Sequence, residues 1–226
     1  MGTNYLIIVN NFAFHFFLNV IPNMKNTATA KTVSTKKGDA SIALFLDSIY
    51  PLSKKAMDFV VENSYPLELK RGSFLVKPGE RENQLFLLKK GVVRSFILEN
   101  KKEITTWINE EIELVSGIRT LGLQLPSEEY IEALENCELT GIPYSAIEYL
   151  YETFPSSNYI GRVILEESYR AAEERAYLAR ISSAKKRYDR FVATQPTLLT
   201  RISLKYIASY LNMSLETLSR LRSRKS

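Results

Sequence analysis

The chain has 226 residues, 45% hydrophobic and 24% charged, a balance that excludes disordered and fibrous classes and leaves an ordinary soluble globular protein of one large or two small domains. One cysteine, Cys137, excludes an intrachain disulfide framework and fits a reducing, cytoplasmic setting. The net charge of +5 is unevenly placed: Arg180 to Ser226 holds eleven Lys or Arg against two acids, hence +9, which leaves −4 for the first 179 residues and points to an anionic polymer bound at the basic end.

Tyr5 to Ile21 is apolar-rich, but Asn10, Asn11, His15 and Asn19 interrupt it, so it reads neither as a membrane span nor, with no Lys or Arg before it, as a secretory signal. Lys25 to Ser41 is rich in Thr, Ala and Lys without periodicity. Residues 1–40 are therefore expected to be a poorly ordered extension and linker, with no membrane role.

Ile42 to Val61 has helical periodicity, and Pro51 breaks it into two pieces. The period then shifts towards two. Leu67–Leu69, Phe74–Val76, Leu85–Leu88, Val92–Ile97, Glu103–Ile108, Tyr130–Leu134 and Glu138–Ile142 read as short strands, separated by turn signals such as Lys70-Arg-Gly72 and Lys77-Pro-Gly79. Seven short strands at this spacing predict an antiparallel β-roll over residues 41–154. A long helix follows over 155–180, with Ser156 or Ser157 as its cap. Its stripe of Ile160, Ile164, Ala171 and Leu178, with Ser168 and Arg175 on the same face, is a candidate seam for pairing with a second copy. A basic helix from Ser183 to Thr194 opens the last segment, 181–226, and Pro196 stops it.

That segment has the grammar of a helix-turn-helix. Leu204, Ile207, Ala208 and Leu211 form one helical stripe, and Leu218 and Leu221 form a second. Asn212 stands between them, where a tight turn needs a residue that tolerates the left-handed conformation. Ser214 is placed to cap the second helix. Such a pair of helices docks its second member in the major groove of double-stranded DNA.

Roll, long helix, short helix and helix-turn-helix, in this order over residues 42–226, resemble the cyclic-AMP receptor protein and fumarate–nitrate regulator (Crp/Fnr) superfamily. The glycines Gly72, Gly79 and Gly91 carry the resemblance, with Glu135-Asn-Cys-Glu-Leu139 and the terminal Ile207-Ala … Leu211-Asn-Met-Ser-Leu-Glu-Thr-Leu-Ser-Arg220-Leu. It implies an α+β protein: a cyclic-nucleotide-binding-like β-roll, a long dimerisation helix and a winged-helix-type DNA-binding end. The implied function is a homodimeric transcriptional regulator on a near-palindromic operator, with RNA polymerase as a further partner. Glu216 and Arg220 match the family's base-reading positions. Glu216 can accept from a cytosine amine, and Arg220 can donate two bonds to guanine. Leu215 stands where the family often has a third, arginine reader, so it offers only an apolar contact. Ser214, Thr217, Ser219, Arg222 and Arg224 are candidate phosphate contacts.

The sensor half departs from the cyclic-nucleotide pattern. Ser116 falls at the glutamate position, Ser127 at the arginine position that neutralises the cyclic phosphate, and Glu128 and Glu129 follow at once. Ala172 and Glu173 take the places of the adenine-contacting hydroxyls. The resemblance thus implies a roll that does not hold cyclic AMP, with an unidentified small-molecule effector, a partner or no effector in its stead. Arg119 is the candidate anion anchor of that pocket, beside Ser116 and Ser127. One cysteine cannot hold an iron–sulfur cluster, which takes four thiolates. One histidine, His15, supports neither haem nor Ser-His catalysis. No Walker loop or zinc spacing occurs, so neither cofactor nor enzyme activity is expected. The competing reading is a ligand- or partner-binding roll with a degenerate helix-turn-helix.

Overall fold

The computed structural model describes residues 32–33, 38–117 and 119–223. The extension and His15 lie outside them, as does Arg224.

The linker is shorter than its composition suggests. β1 (Thr32–Val33) pairs antiparallel with β2 (Tyr65–Leu69), and the Gly38 N–H donates to the Ser64 carbonyl. Asp39 accepts from Lys89 Nζ at 2.9 Å and Thr140 Oγ1 at 2.8 Å, and also from Ser41. Burial alone would raise its pKa, but these bonds hold the carboxyl below its usual range. The end of the stretch read as linker is held to the roll, because one carboxylate there gathers donors from three residues.

Helices α1 (Ser41–Ile49) and α2 (Lys54–Asn63) flank Pro51, and the Ser53 hydroxyl caps α2 by accepting from the Ala56 N–H. The roll is two antiparallel sheets. One orders β1, β2, β9 (Cys137–Pro143), β4 (Gln84–Lys90) and β7 (Leu114–Val115); the other orders β3 (Phe74–Val76), β8 (Tyr130–Ala133), β5 (Val93–Glu99) and β6 (Lys102–Asn109). All seven expected strands are present. β1 and β7 are additions, since two residues each are too few to show a period. Leu67, Leu69, Leu75, Phe86, Leu88, Val93, Ile131 and Leu139 fill the interior. Cys137 packs among them, and burial pushes its thiol up to about 11, so it serves as a small core side chain. Gly91, at φ +100°, passes so close that an added Cβ would lie 2.6 Å from Cys137 Sγ.

On the other face of the five-stranded sheet, Leu87 and Ile142 pack against α1, α2 and α3 (Tyr144–Thr153). The long helix α4 (Pro155–Arg180, 26 residues) extends about 39 Å at 1.5 Å per residue. Its cap is not a serine. Pro155 occupies the first turn, Phe154 takes the cap position without a side-chain bond, and Ser157 is buried inside the helix.

The C-terminal module comprises α5 (Ala184–Thr194), α6 (Leu198–Arg201), α7 (Leu204–Tyr210) and α8 (Leu215–Ser223). Among the described residues no strand follows β9, so what is described of this module is helical. Its core of Ile207, Ala208, Leu211 and Leu218 is continuous with Val92, Ile108 and Leu134 of the roll. The basic end therefore has no separate core.

Candidate nucleic-acid interface

The turn between α7 and α8 is built as its residues require. Asn212 adopts φ 48°, and the Ser214 hydroxyl accepts from the Thr217 N–H at 3.2 Å to cap α8. A buried arginine ties the turn together: Arg187 donates to the Leu211 carbonyl at 2.7 Å, to the Asn212 carbonyl at 3.0 Å and to the backbone of Ile181 and Ser182. This one side chain satisfies carbonyls that a helix end leaves without partners.

α8 hides one face and presents the other. Leu218 is fully buried, whereas Ser214, Leu215, Glu216, Ser219, Arg220 and Arg222 are exposed and Thr217 is half-buried. Glu216 and Arg220, one turn apart, share the exposed face. The Glu216 carboxyl accepts from its own backbone N–H and from Ser214, which hold it below the usual carboxylate range and keep it an acceptor. Arg220 Nε reaches the Glu216 carbonyl at 3.4 Å, and the side chain is exposed.

Much of the basic charge of the last segment is spent inside the chain. Arg187 serves the turn, Arg190 pairs with Glu174 and Lys185 with Asp189. Arg201 is bidentate to Glu111, at 2.6 and 2.7 Å, and also binds Glu135 at 2.7 Å. These last contacts join the module to the roll, as do two others that the sequence did not flag. Arg94, only 2% exposed, lies between the rings of Phe96 and Tyr206, at 4.1 and 3.9 Å, and pairs with Glu132 and Glu103. The Ser209 hydroxyl accepts from the Thr105 N–H at 2.9 Å and donates to the Glu103 carbonyl at 3.1 Å. β6 is a sheet edge, and Ser209 thus satisfies backbone groups that a neighbouring strand would otherwise take. The signal for Arg94 was present: a lone charge inside the apolar run Val92–Ile97 needs partners.

The stripe read as a self-pairing seam is covered by the chain itself at its two ends and open between them, where Ser168 is exposed. Ile160 packs at the roots of α1 and α3, Leu178 sits in the helix-turn-helix core and Arg175 lies over the Trp107 ring, while Ile164 and Ala171 are half-buried. Periodicity identifies an apolar face without saying whose surface covers it. The three effector-pocket candidates differ in burial. Arg119 pairs with Glu128 at the surface, and the buried Ser127 hydroxyl is engaged with the backbone of Glu129. Ser116 is half-buried.

Among the described residues no three His, Cys, Asp or Glu are placed to hold a metal ion, and no helix is long and apolar enough to cross a membrane.

Residues 66–154 match the model of the cyclic nucleotide-binding domain family. No curated protein sequence matches the chain. Among solved structures it is similar to FixK2 from Bradyrhizobium japonicum, at 17% identity over 71% of this chain and 83% of that one, with a TM-score of 0.62. A regulator assigned to the crp/fnr family, from Eubacterium rectale, is similar at 17% identity over 79% and 85%, with a TM-score of 0.61. The c-di-GMP responsive global regulator CLP of Xanthomonas campestris is similar at 17% identity over 76% and 91%, with a TM-score of 0.59. These likenesses establish the fold of the chain.

Proposed function

We propose that this chain, whose residues 66–154 form a domain of the cyclic nucleotide-binding family and whose fold is that of the Crp/Fnr regulators, is a sequence-specific DNA-binding transcriptional regulator and not an enzyme. The observation that carries the reading is α8. Its apolar face is fully packed, its cap and turn are intact, and its outward face holds an ionised acceptor, Glu216, one turn from a bidentate donor, Arg220. That pair suits a cytosine amine and the O6/N7 edge of guanine in the major groove. Leu215 adds an apolar contact, and Ser214, Thr217, Ser219, Arg222 and Arg224 act on phosphates. A degenerate helix-turn-helix would not keep this set together. Mobility shift at two salt concentrations with a random-sequence pool tests the reading: a selected motif supports it, and salt-sensitive binding without any sequence preference removes it.

The regulator acts as a homodimer through α4, through a face about a third of a turn round the helix from the stripe that runs from Ile160 to Leu178. Leu165 and Tyr169 are 69% and 64% exposed, and with Ala172 and Ala176 they follow the four-three-four spacing of a two-helix seam. Leu165→Asp combined with Tyr169→Asp should shift the mass in light scattering from twice 25.9 kDa to 25.9 kDa. A dimer that survives both substitutions places the seam elsewhere.

The roll does not hold cyclic AMP. Its interior is packed with apolar side chains, and Arg94, its buried arginine, already serves Glu132 and Glu103. A buried phosphate without a cation is strongly disfavoured. Cyclic AMP at millimolar concentration should leave the melting temperature unchanged. A ligand at a hundred times its dissociation constant would add about 2.7 kcal/mol and raise that temperature visibly.

A further inference from the structure

At the root of α4 lies a cavity of about 40 Å³, away from α8. Ile42 of α1, Leu85 and Ile142 of the five-stranded sheet, Leu150 of α3 and Ile160 of α4 wall it, and the exposed Tyr151 stands at its rim. The space holds about three water-sized atoms. Ser157 also lines it. This residue is 6% exposed, and its hydroxyl has no hydrogen-bond partner. An unpaired buried hydroxyl is costly, and a chain could discard it by placing alanine there. Water is a poor occupant, since a buried water needs two to four polar partners and, Tyr151 at the rim apart, the side chains around Ser157 are aliphatic. An anion is a worse one, because among the described residues no Lys, Arg or His lines the space. At the rim, Gly161 lets the Tyr151 ring lie against the helix, where an added Cβ would come within 2.6 Å of it.

We propose that this cavity is a binding site for a neutral, apolar small molecule carrying one hydroxyl or carbonyl group, whose oxygen bonds Ser157 and whose carbon chain occupies the aliphatic wall. The site is separate from the interior of the roll. It bears on Ile160 and Ile164 at one end of α4, the helix that places Leu178 in the helix-turn-helix core at its other end. The proposal does not depend on DNA being the partner, and its test does not use DNA.

The full chain with labelled Ile and Leu methyl groups is titrated with ethanol, ethane and acetate, molecules of two to four heavy atoms matched to the small space, each to saturation or its solubility limit. Ethanol should shift the methyl resonances of Ile142, Leu150, Ile160 and Ile164, and acetate should leave them in place. Ser157→Ala removes the unpaired group without adding volume, so the variant keeps the wild-type methyl spectrum. It should bind ethanol about fivefold more weakly and ethane as before. If ethanol moves none of these methyls, or binds the alanine variant equally well, or if acetate binds as tightly as ethanol, the site is not what we propose.

Discussion

Arg94→Met should lower the unfolding free energy by about 3–5 kcal/mol, the usual cost of removing one partner from a buried ion pair. The reason is local. Arg94 is 2% exposed and neutralises Glu132, which is 15% exposed, while its faces rest on Phe96 of the roll and Tyr206 of α7. Methionine keeps most of the apolar contact but leaves Glu132 without its cation. Part of that loss should return in Arg94→Met combined with Glu132→Gln, because a buried charge with no partner costs more than a neutral pair. Urea unfolding of the wild type, both single variants and the double variant checks this. Additive losses would mean that Arg94 stabilises the chain by packing alone. A loss below about 0.5 kcal/mol, the range of ordinary surface substitutions, would mean that the module is not held to the roll through this side chain.

Arg220→Ala should weaken binding to the selected operator by about 1–3 kcal/mol per half-site, roughly 5- to 150-fold, with no loss of stability. Arg220 is exposed on a helix whose core lies on the opposite face, so the substitution touches nothing that folds the module. Arg222→Ala provides the contrast. Removing a phosphate-binding cation there should weaken all sequences alike and reduce the salt dependence by about one counterion. Equal losses on specific and random DNA for both variants would make Arg220 a positioning residue.

What could be read from the sequence was local. Ile207, Ala208, Leu211 and Leu218 are set by helical spacing within one short segment, and Asn212 and Ser214 answer to the turn itself, so all of them stand where the pattern put them. The strands were legible for the same reason, as alternation is a property of neighbours in the chain. What escaped was tertiary. Ser157 has the identity of a cap, but Pro155 starts the helix early and carries the serine into the interior. Ile160 and Leu178 have the spacing of a seam but are covered by the chain's own helices, which leaves Leu165 and Tyr169 outside. The charge count was right as a sum, yet Arg187 and Arg201 spend theirs on backbone carbonyls and on Glu111 and Glu135, a use that depends on residues 24 to 90 positions away. The exposed positive surface of the basic end is therefore made by Arg180, Lys186 and Lys205 together with Arg220 and Arg222 of α8, and not by Arg187 or Arg201.

The central claim is that α8 reads bases as one of a spaced pair. Parallel random-sequence selection with the wild type and with Arg220→Ala tests it most directly. The account predicts, for the wild type, two inverted half-sites with centres about 34 Å apart, one helical turn. For the variant it predicts the same spacing with one base position relaxed symmetrically in both halves. A single unpaired motif, or identical motifs from the two proteins, would contradict it.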